Sequence, residues 1–247
     1  MQNRVRLLAL VVLAILTLVP FGFAQTPVVV ELFTSEGCSS CPPADALLRR
    51  LDQQGAGSGV ELVLLGEHVD YWNYLGWTDR FSSKQFSQRQ SAYSHAFGLD
   101  SVYTPQMVID GDQQFGGNDA AQAARVIAKD AKTPLPAQVS LKWEGNNKLH
   151  VEVAAPPQLH GEVLLAITED NLSTPVEAGE NGGTTLHHAA VVRQLRELGD
   201  PRDGHFDADV DASPHPDWNQ ANLKVAVLVQ DPSNMKIIGA GVVPYSH

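Results

Sequence analysis

The chain contains two cysteines, Cys38 and Cys41, standing three apart where an apolar strand pattern gives way to a helical one. Val28-Val29-Val30-Glu31-Leu32-Phe33 is a short β-branched run of the kind buried on both faces of a sheet. Thr34 to Gly37 reads as a loop. Beyond Cys38-Ser39-Ser40-Cys41-Pro42-Pro43, the residues Ala44, Leu47, Leu48 and Leu51 recur at helical spacing, and two prolines suit a first helical turn. A helix start carries unpaired N–H groups and the positive end of the helix dipole, which favour a thiolate over a thiol. That placement predicts that Cys38 attacks and Cys41 resolves the mixed disulfide. A cross-link between residues so close in sequence removes little chain entropy and stabilises a fold little. An inert local disulfide and a metal-binding pair are the competing readings.

The same alternation of patterns continues downstream. Val60 to Leu65 reads as a second strand, which makes strand, helix, strand a right-handed parallel crossover. About Thr78 to Phe97 reads as a polar helix, and Gln106 to Gly117 as a hairpin turning at Asp110-Gly111. Asn118 to Lys132 reads as an alanine-rich helix that Thr133-Pro134-Leu135-Pro136 ends.

Three stretches carry a resemblance to the thioredoxin superfamily: Phe33 to Asp45 (FTSEGCSSCPPAD), His68 to Trp72 (HVDYW) with the following Leu75-Gly76-Trp77, and Tyr103 to Gly111 (YTPQMVIDG). More closely, the chain is similar to a group of secreted bacterial proteins known only as a domain of unknown function. The resemblance implies an α/β thioredoxin-like domain, a central mixed sheet with flanking helices, over 25–135. It also implies that Pro105 is a cis-proline facing the CxxC, with the backbone beside it, at Tyr103 and Thr104, pairing with a bound peptide. An ordinary trans proline at a strand start is the alternative. The chain departs from the thioredoxin pattern in having no Trp before the motif and Ser39-Ser40 inside it. Redox direction is therefore not inherited.

Four further residues are candidates near the motif. Glu31, a carboxylate within a buried strand, is placed under the resemblance to relay a proton for Cys41, with its spacing off by one. Reaching water from a strand end is its other reading. His68 heads the segment His68 to Trp77, which holds four aromatics in its last seven positions. Strand ends on this side of a parallel sheet form its binding crevice. Trp72 and Trp77 are thus candidates to face a substrate, or to cap the core. His68 is a candidate proton donor, a loop-holding hydrogen-bond partner or, with Cys38 and Cys41, the third ligand of a copper-type site. Outside that alternative no metal or cofactor is expected beyond the Cys38–Cys41 disulfide itself.

Beyond Pro136 the texture becomes period two. Gln138 to Trp143 and Lys148 to Val153 read as a hairpin, with further strands at Gly161 to Thr168, Leu223 to Val229 and Lys236 to Val243. Ala189 to Leu198 fits either a strand or a helix. The spacing predicts a small, mainly β, sandwich-like domain over 136–247. Asp207, Asp209 and Asp211 resemble the opening of a calcium loop, but Ala212 and Trp218 stand where glycine and a bidentate carboxylate belong, so an acidic surface turn is expected. His187, His188, His205 and His215 lack a metal-site spacing and read as solvent-facing.

Arg4 and Arg6 before the apolar run Leu7 to Val19, with Gly22 and Ala24 after it, have the layout of a signal peptide over 1–24. Cleavage before Gln25 leaves 223 residues, places the chain in the periplasm or outside the cell, and leaves no membrane-spanning segment. The apolar run as an uncleaved anchor is the alternative. Losing both arginines takes the net charge from −11 to −13, which repels phosphate backbones, so nucleic acid is not an expected partner. The expected partners are exported protein thiols or disulfides together with a redox partner. The function expected is thiol–disulfide exchange on protein disulfides. A metal-handling protein and a non-catalytic binding module are the alternatives.

Overall fold

In the computed structural model, which describes residues 26–54 and 60–246, the strand-loop-helix around the cysteines builds the centre of a mixed α/β fold. The expected signal peptide lies outside the described residues. Among the described residues, no helix is long and apolar enough to cross a membrane.

Strand β1 (Thr26–Thr34) leads through α1 (Pro42–Gln54) into β2 (Val60–His68), which pairs parallel to it, Val30 opposite Leu64. Helix α2 (Lys84–Ala96) follows, capped by Ser83, whose hydroxyl accepts the Gln85 N–H. The hairpin β3 (Gln106–Ile109) and β4 (Gln113–Gly116) then adds antiparallel strands on the other edge of β1. Helix α3 (Ala120–Asp130) starts at Asp119, whose carboxylate accepts the Gln122 N–H. Period-two alternation sorts β1 by face: Val28, Val30 and Leu32 pack with Ala44, Leu47 and Leu48 of α1 and with Ala123 and Val126 of α3. Val29 turns the other way, against Val63, Leu65 and Phe86 of α2.

The second half joins this sheet. Its strands are β5 (Gln138–Gly145), β6 (Lys148–Ala154), β7 (Glu162–Glu169), β8 (Leu172–Pro175), β9 (Thr185–His188), β10 (Val191–Gly199), β11 (His205–Asp211), β12 (Leu223–Gln230) and β13 (Ile237–Pro244). An eight-stranded sheet runs β13-β12-β7-β10-β2-β1-β3-β4. The bond joining the halves is parallel, Val191 opposite Gly66, supported by the Gly66 N–H donating to Ala190 O at 2.7 Å. Strands β11-β6-β5 form a second sheet, and β8-β9 a two-stranded one. Leu149, Val151 and Val153 of β6 pack on Val163, Leu165 and Ile167 of β7 and Val225 and Val227 of β12. Each such buried aliphatic contributes about 1.5–3 kcal/mol.

The structure refines two sequence readings here and corrects one. In the β-rich half, β5, β6 and β11 layer over β7 and β12, while four of its strands continue the sheet of the first half, so the two halves share one sheet. The ambiguous segment near Ala189 is a strand, β10, held between β7 and β2. The expected acidic turn at Asp207 to Asp211 is strand β11, paired along its length with β6. Its aspartates occupy the exposed face, while Phe206, Ala208 and Val210 alternate with them toward the sheet.

One contact ties the two halves closely. At the β3–β4 turn, Asp110 accepts the Val29 N–H through Oδ1 at 2.7 Å, and its own carbonyl accepts the Ile237 N–H at 2.9 Å. Gly111 has φ +62°, and a Cβ there would lie 2.1 Å from Met235 O. Only glycine fits that turn.

Candidate functional site: a covered disulfide over buried histidines

Cys38 and Cys41 form a disulfide with their Cα atoms 5.4 Å apart. The Cys38 N–H donates to Ser35 O and the Cys41 N–H to Cys38 O, each at 3.2 Å, so the loop makes two tight turns before α1. The Cys41 carbonyl accepts the N–H groups of Ala44 and Asp45, which places the pair at the helix start as its sequence predicts. Both cysteines are at 0% exposure, while Ser39 and Ser40 between them face solvent.

The Thr104–Pro105 peptide bond is cis. Its carbonyl side touches the motif, since Ser40 Oγ donates to Thr104 O at 3.4 Å and lies 3.4 Å from Cys38 Sγ. Trp72 Nε1 donates to Thr104 Oγ1 at 2.8 Å, and Tyr103 O accepts from Gln90 Nε2 at 2.7 Å. Trp72, half-buried, thus shares this mouth with Thr104 and Ser40, whereas Trp77 turns to the other side and donates to Glu36 Oε2 at 2.8 Å. Tyr103 is 36% exposed.

Behind the cysteine-bearing loop lies a buried polar cluster. His68 Nδ1 is 2.7 Å from Asp79 Oδ2, and the same Asp79 oxygen accepts the Glu36 N–H at 2.9 Å. His188, from β9, stands between Glu36 Oε1 at 3.4 Å and Asp45 Oδ2 at 4.0 Å, and none of these atoms has an aligned hydrogen bond. Asp45 Oδ1 accepts from Thr34 Oγ1 at 2.8 Å. The two imidazoles are 4.9 Å apart, with Phe81 edge-on to both. Burial alone would push Asp79 up and His68 down. Their mutual attraction wins in both, lowering Asp79 and raising His68. Burial raises Asp45 against the pull of His188 and His68. Burial also opposes ionisation of Glu36, but the contact with His188 and the bond from Trp77 bring its carboxyl below its ordinary range.

Glu31 is not part of this cluster. It sits on the opposite face of β1 from Val30 and Leu32, which pack on α1. There it accepts from Arg89 Nε at 2.6 Å and Tyr93 Oη at 2.5 Å, with Glu67 3.3 Å from the same arginine nitrogen. The proposed relay from Glu31 to Cys41 is therefore withdrawn: alternation along the strand sends the carboxylate to the α2 side. His68 is committed to Asp79 and is not a spare ligand beside the sulfurs. Among the described residues, no group of three His, Cys, Asp or Glu side chains is placed to hold a metal ion. His188, read from sequence as solvent-facing, is instead buried under the motif.

The fold and site define a mixed α/β protein with a CxxC pair near a helix start, closed as a disulfide and covered. Residues 29–230 match the family described as "Protein of unknown function (DUF1223)", and the chain belongs to that family. Its fold is similar to the crystal structure of protein AGR_C_4864 from Agrobacterium tumefaciens, at 30% sequence identity and a TM-score of 0.71. The likeness covers 90% of this chain and 98% of that one. No curated protein matches the chain.

Proposed function

We propose that the protein exchanges disulfides with exported proteins through Cys38 and Cys41, on a thioredoxin-like half formed by β2-β1-β3-β4 with α1, α2 and α3. The observation that carries this reading is the juxtaposition of a local disulfide at a helix start with the cis Thr104–Pro105 bond, bridged by Ser40. A cross-link spanning so few residues contributes little to stability, so chemistry is the better account of it.

The step balances as follows. A thiolate of a reduced protein substrate attacks Cys38 Sγ, forming a mixed disulfide and expelling Cys41 as a thiolate that takes up a proton. The substrate's second thiolate then attacks its own sulfur in the mixed disulfide and expels Cys38. Two electrons pass from substrate to the CxxC pair, and the substrate leaves oxidised. The reverse sequence reduces a substrate disulfide. The positive end of α1 stabilises the Cys38 thiolate in either direction. Thr104 and Tyr103, beside the cis bond, and Trp72, at the same mouth, are the groups nearest an incoming peptide; Trp77 supports the loop through Glu36.

Burial of both sulfurs favours one other reading, a closed structural cross-link on a binding module. Turnover of insulin disulfides or of a scrambled protein, with Cys38→Ser as control, separates the two. Exchange abolished by Cys38→Ser supports catalysis, and no exchange by the fully reduced wild type supports the binding module.

A further inference from the structure

If the exchange reading above holds, on which this inference rests, an incoming thiolate must reach a sulfur that the oxidised fold keeps at 0% exposure. Something must move. The loop of the β8–β9 hairpin, residues 176–184, reaches from the second half of the chain onto the loop that carries Cys38. Asn181 Nδ2 donates to Glu36 O at 2.8 Å and to Cys38 O at 3.0 Å, binding the carbonyls on both sides of Gly37. Glu180 Oε2 accepts the Ser39 N–H at 3.1 Å. Three residues of the loop, Glu36, Cys38 and Ser39, therefore have their backbone addressed by the hairpin. Little else holds it down. Within the loop only Val176 and Asn181 are buried, the other seven residues are exposed, and three of those are glycines. A segment with few buried apolar contacts, held by the two buried bonds of Asn181 and the exposed one of Glu180, opens at low cost relative to global unfolding.

We propose that residues 176–184 are a releasable strap over the reactive loop, and that Asn181 is the latch: a positioning residue that sets how readily the Cys38–Cys41 disulfide can be reduced. Opening the strap frees Glu36 O, Cys38 O and the Ser39 N–H together, the backbone groups through which the strap holds the loop. The latch residue comes from the second half of the chain, so that half controls access to the site and is more than a support for it.

The test is the rate at which dithiothreitol reduces the disulfide of the full-length protein. One dithiothreitol thiolate attacks a cysteine sulfur, and its second thiol closes to the cyclic disulfide, leaving both cysteines reduced. Asn181→Ala should be reduced at least about tenfold faster than wild type, as expected for losing two modest hydrogen bonds. Glu180→Ala, a change at an exposed residue, should give a smaller rise of about twofold. Both reduction rates should depend little on urea well below the unfolding transition, since releasing the strap exposes little surface. An unchanged rate in Asn181→Ala overturns the proposal. So does a rate that climbs with urea as steeply as global unfolding does, because then unfolding, not the strap, opens the site. Trp72→Ala is the companion variant: acceleration there with none in Asn181→Ala places the cover on the Trp72 side and also overturns it. Reduction by dithiothreitol reports the strap whether or not the protein is an exchange catalyst. A failed strap is thus distinguishable from a failed exchange function, which the wild type's turnover of protein disulfides reports.

Discussion

Two hairpin turns cross between the halves of this molecule, and they are built in opposite ways. The β3–β4 turn is seated: Asp110 is buried and bonded to both β1 and β13, and Gly111 lies against the backbone of Met235 and Lys236 with no room for a side chain. The β8–β9 loop is laid on the surface and holds the reactive loop through the side chains of Glu180 and Asn181. Buried backbone contact with close packing makes a joint that opens only when the fold does. A few side-chain hydrogen bonds from a loop that is otherwise mostly exposed, each contributing about 1 kcal/mol, make one that opens alone.

Gly111→Ala should break the seated joint outright. It drives a Cβ into Met235 O and forces a left-handed backbone on alanine, and we expect a loss of about 3 kcal/mol or more in urea-unfolding stability. The same turn has a pH signature. Burial holds the Asp110 carboxyl up at about 7, whereas its ordinary value is 3.8. The folded state therefore keeps a proton that the unfolded chain loses as pH rises. The contribution of this group is full below about pH 4 and declines toward pH 7, by on the order of 4 kcal/mol. Asp110→Asn keeps the acceptor for the Val29 N–H and should flatten this slope, leaving the variant more stable than wild type at pH 8.

On the strap side, Asp79 fixes the reactive loop from beneath by holding both His68 and the Glu36 N–H. Asp79→Asn should cost about 2 kcal/mol below pH 6.5, where His68 is charged in folded and unfolded chains alike. His68 has a raised folded pKa, so its share of stability is full below the unfolded value and is lost as pH rises through the folded one. The cost of the variant should shrink accordingly at alkaline pH, and an NMR titration should find the His68 pKa lowered. Smallest of all, Asn181→Ala should lower global stability by about 1.4 kcal/mol, the same loss that is read as tenfold faster reduction of the disulfide. A large loss in urea unfolding would erase the contrast between the two joints.

The elements around the cysteines were legible because each pattern is strong and local: the valine run of β1, the leucine spacing of α1, the Asp-Gly turn of the β3–β4 hairpin. Cys38 and Cys41 came from the same local signals, and Pro105 from the family resemblance. What stayed hidden is non-local. His188 and Asn181 lie more than a hundred residues from the motif, on strands of four residues and their loop, too short for periodicity to declare. Glu177-Ala178-Gly179-Glu180-Asn181-Gly182-Gly183 is a loop signal by composition, but nothing in it says which surface the loop covers. Two misreadings had signals that were available. Alternation puts Glu31 on the face opposite Val30 and Leu32, and Phe206, Ala208 and Val210 show the period of an edge strand between the aspartates of β11. Asp45, a carboxylate beside the apolar Ala44 and Leu48 in the first turns of α1, also marks a buried polar position under the cysteines.

The most direct test of the account is a trapping experiment. In the Cys41→Ser protein, a mixed disulfide once formed at Cys38 has no resolving thiol and persists. Incubation with an oxidised exported-type protein substrate should yield a covalent adduct through Cys38, released by dithiothreitol and absent when Cys38 is also serine. The adduct should form faster when Asn181→Ala is added. If the Cys41→Ser, Asn181→Ala protein, with its strap released, still forms no adduct, Cys38 is not a nucleophile toward protein disulfides and the exchange function is wrong.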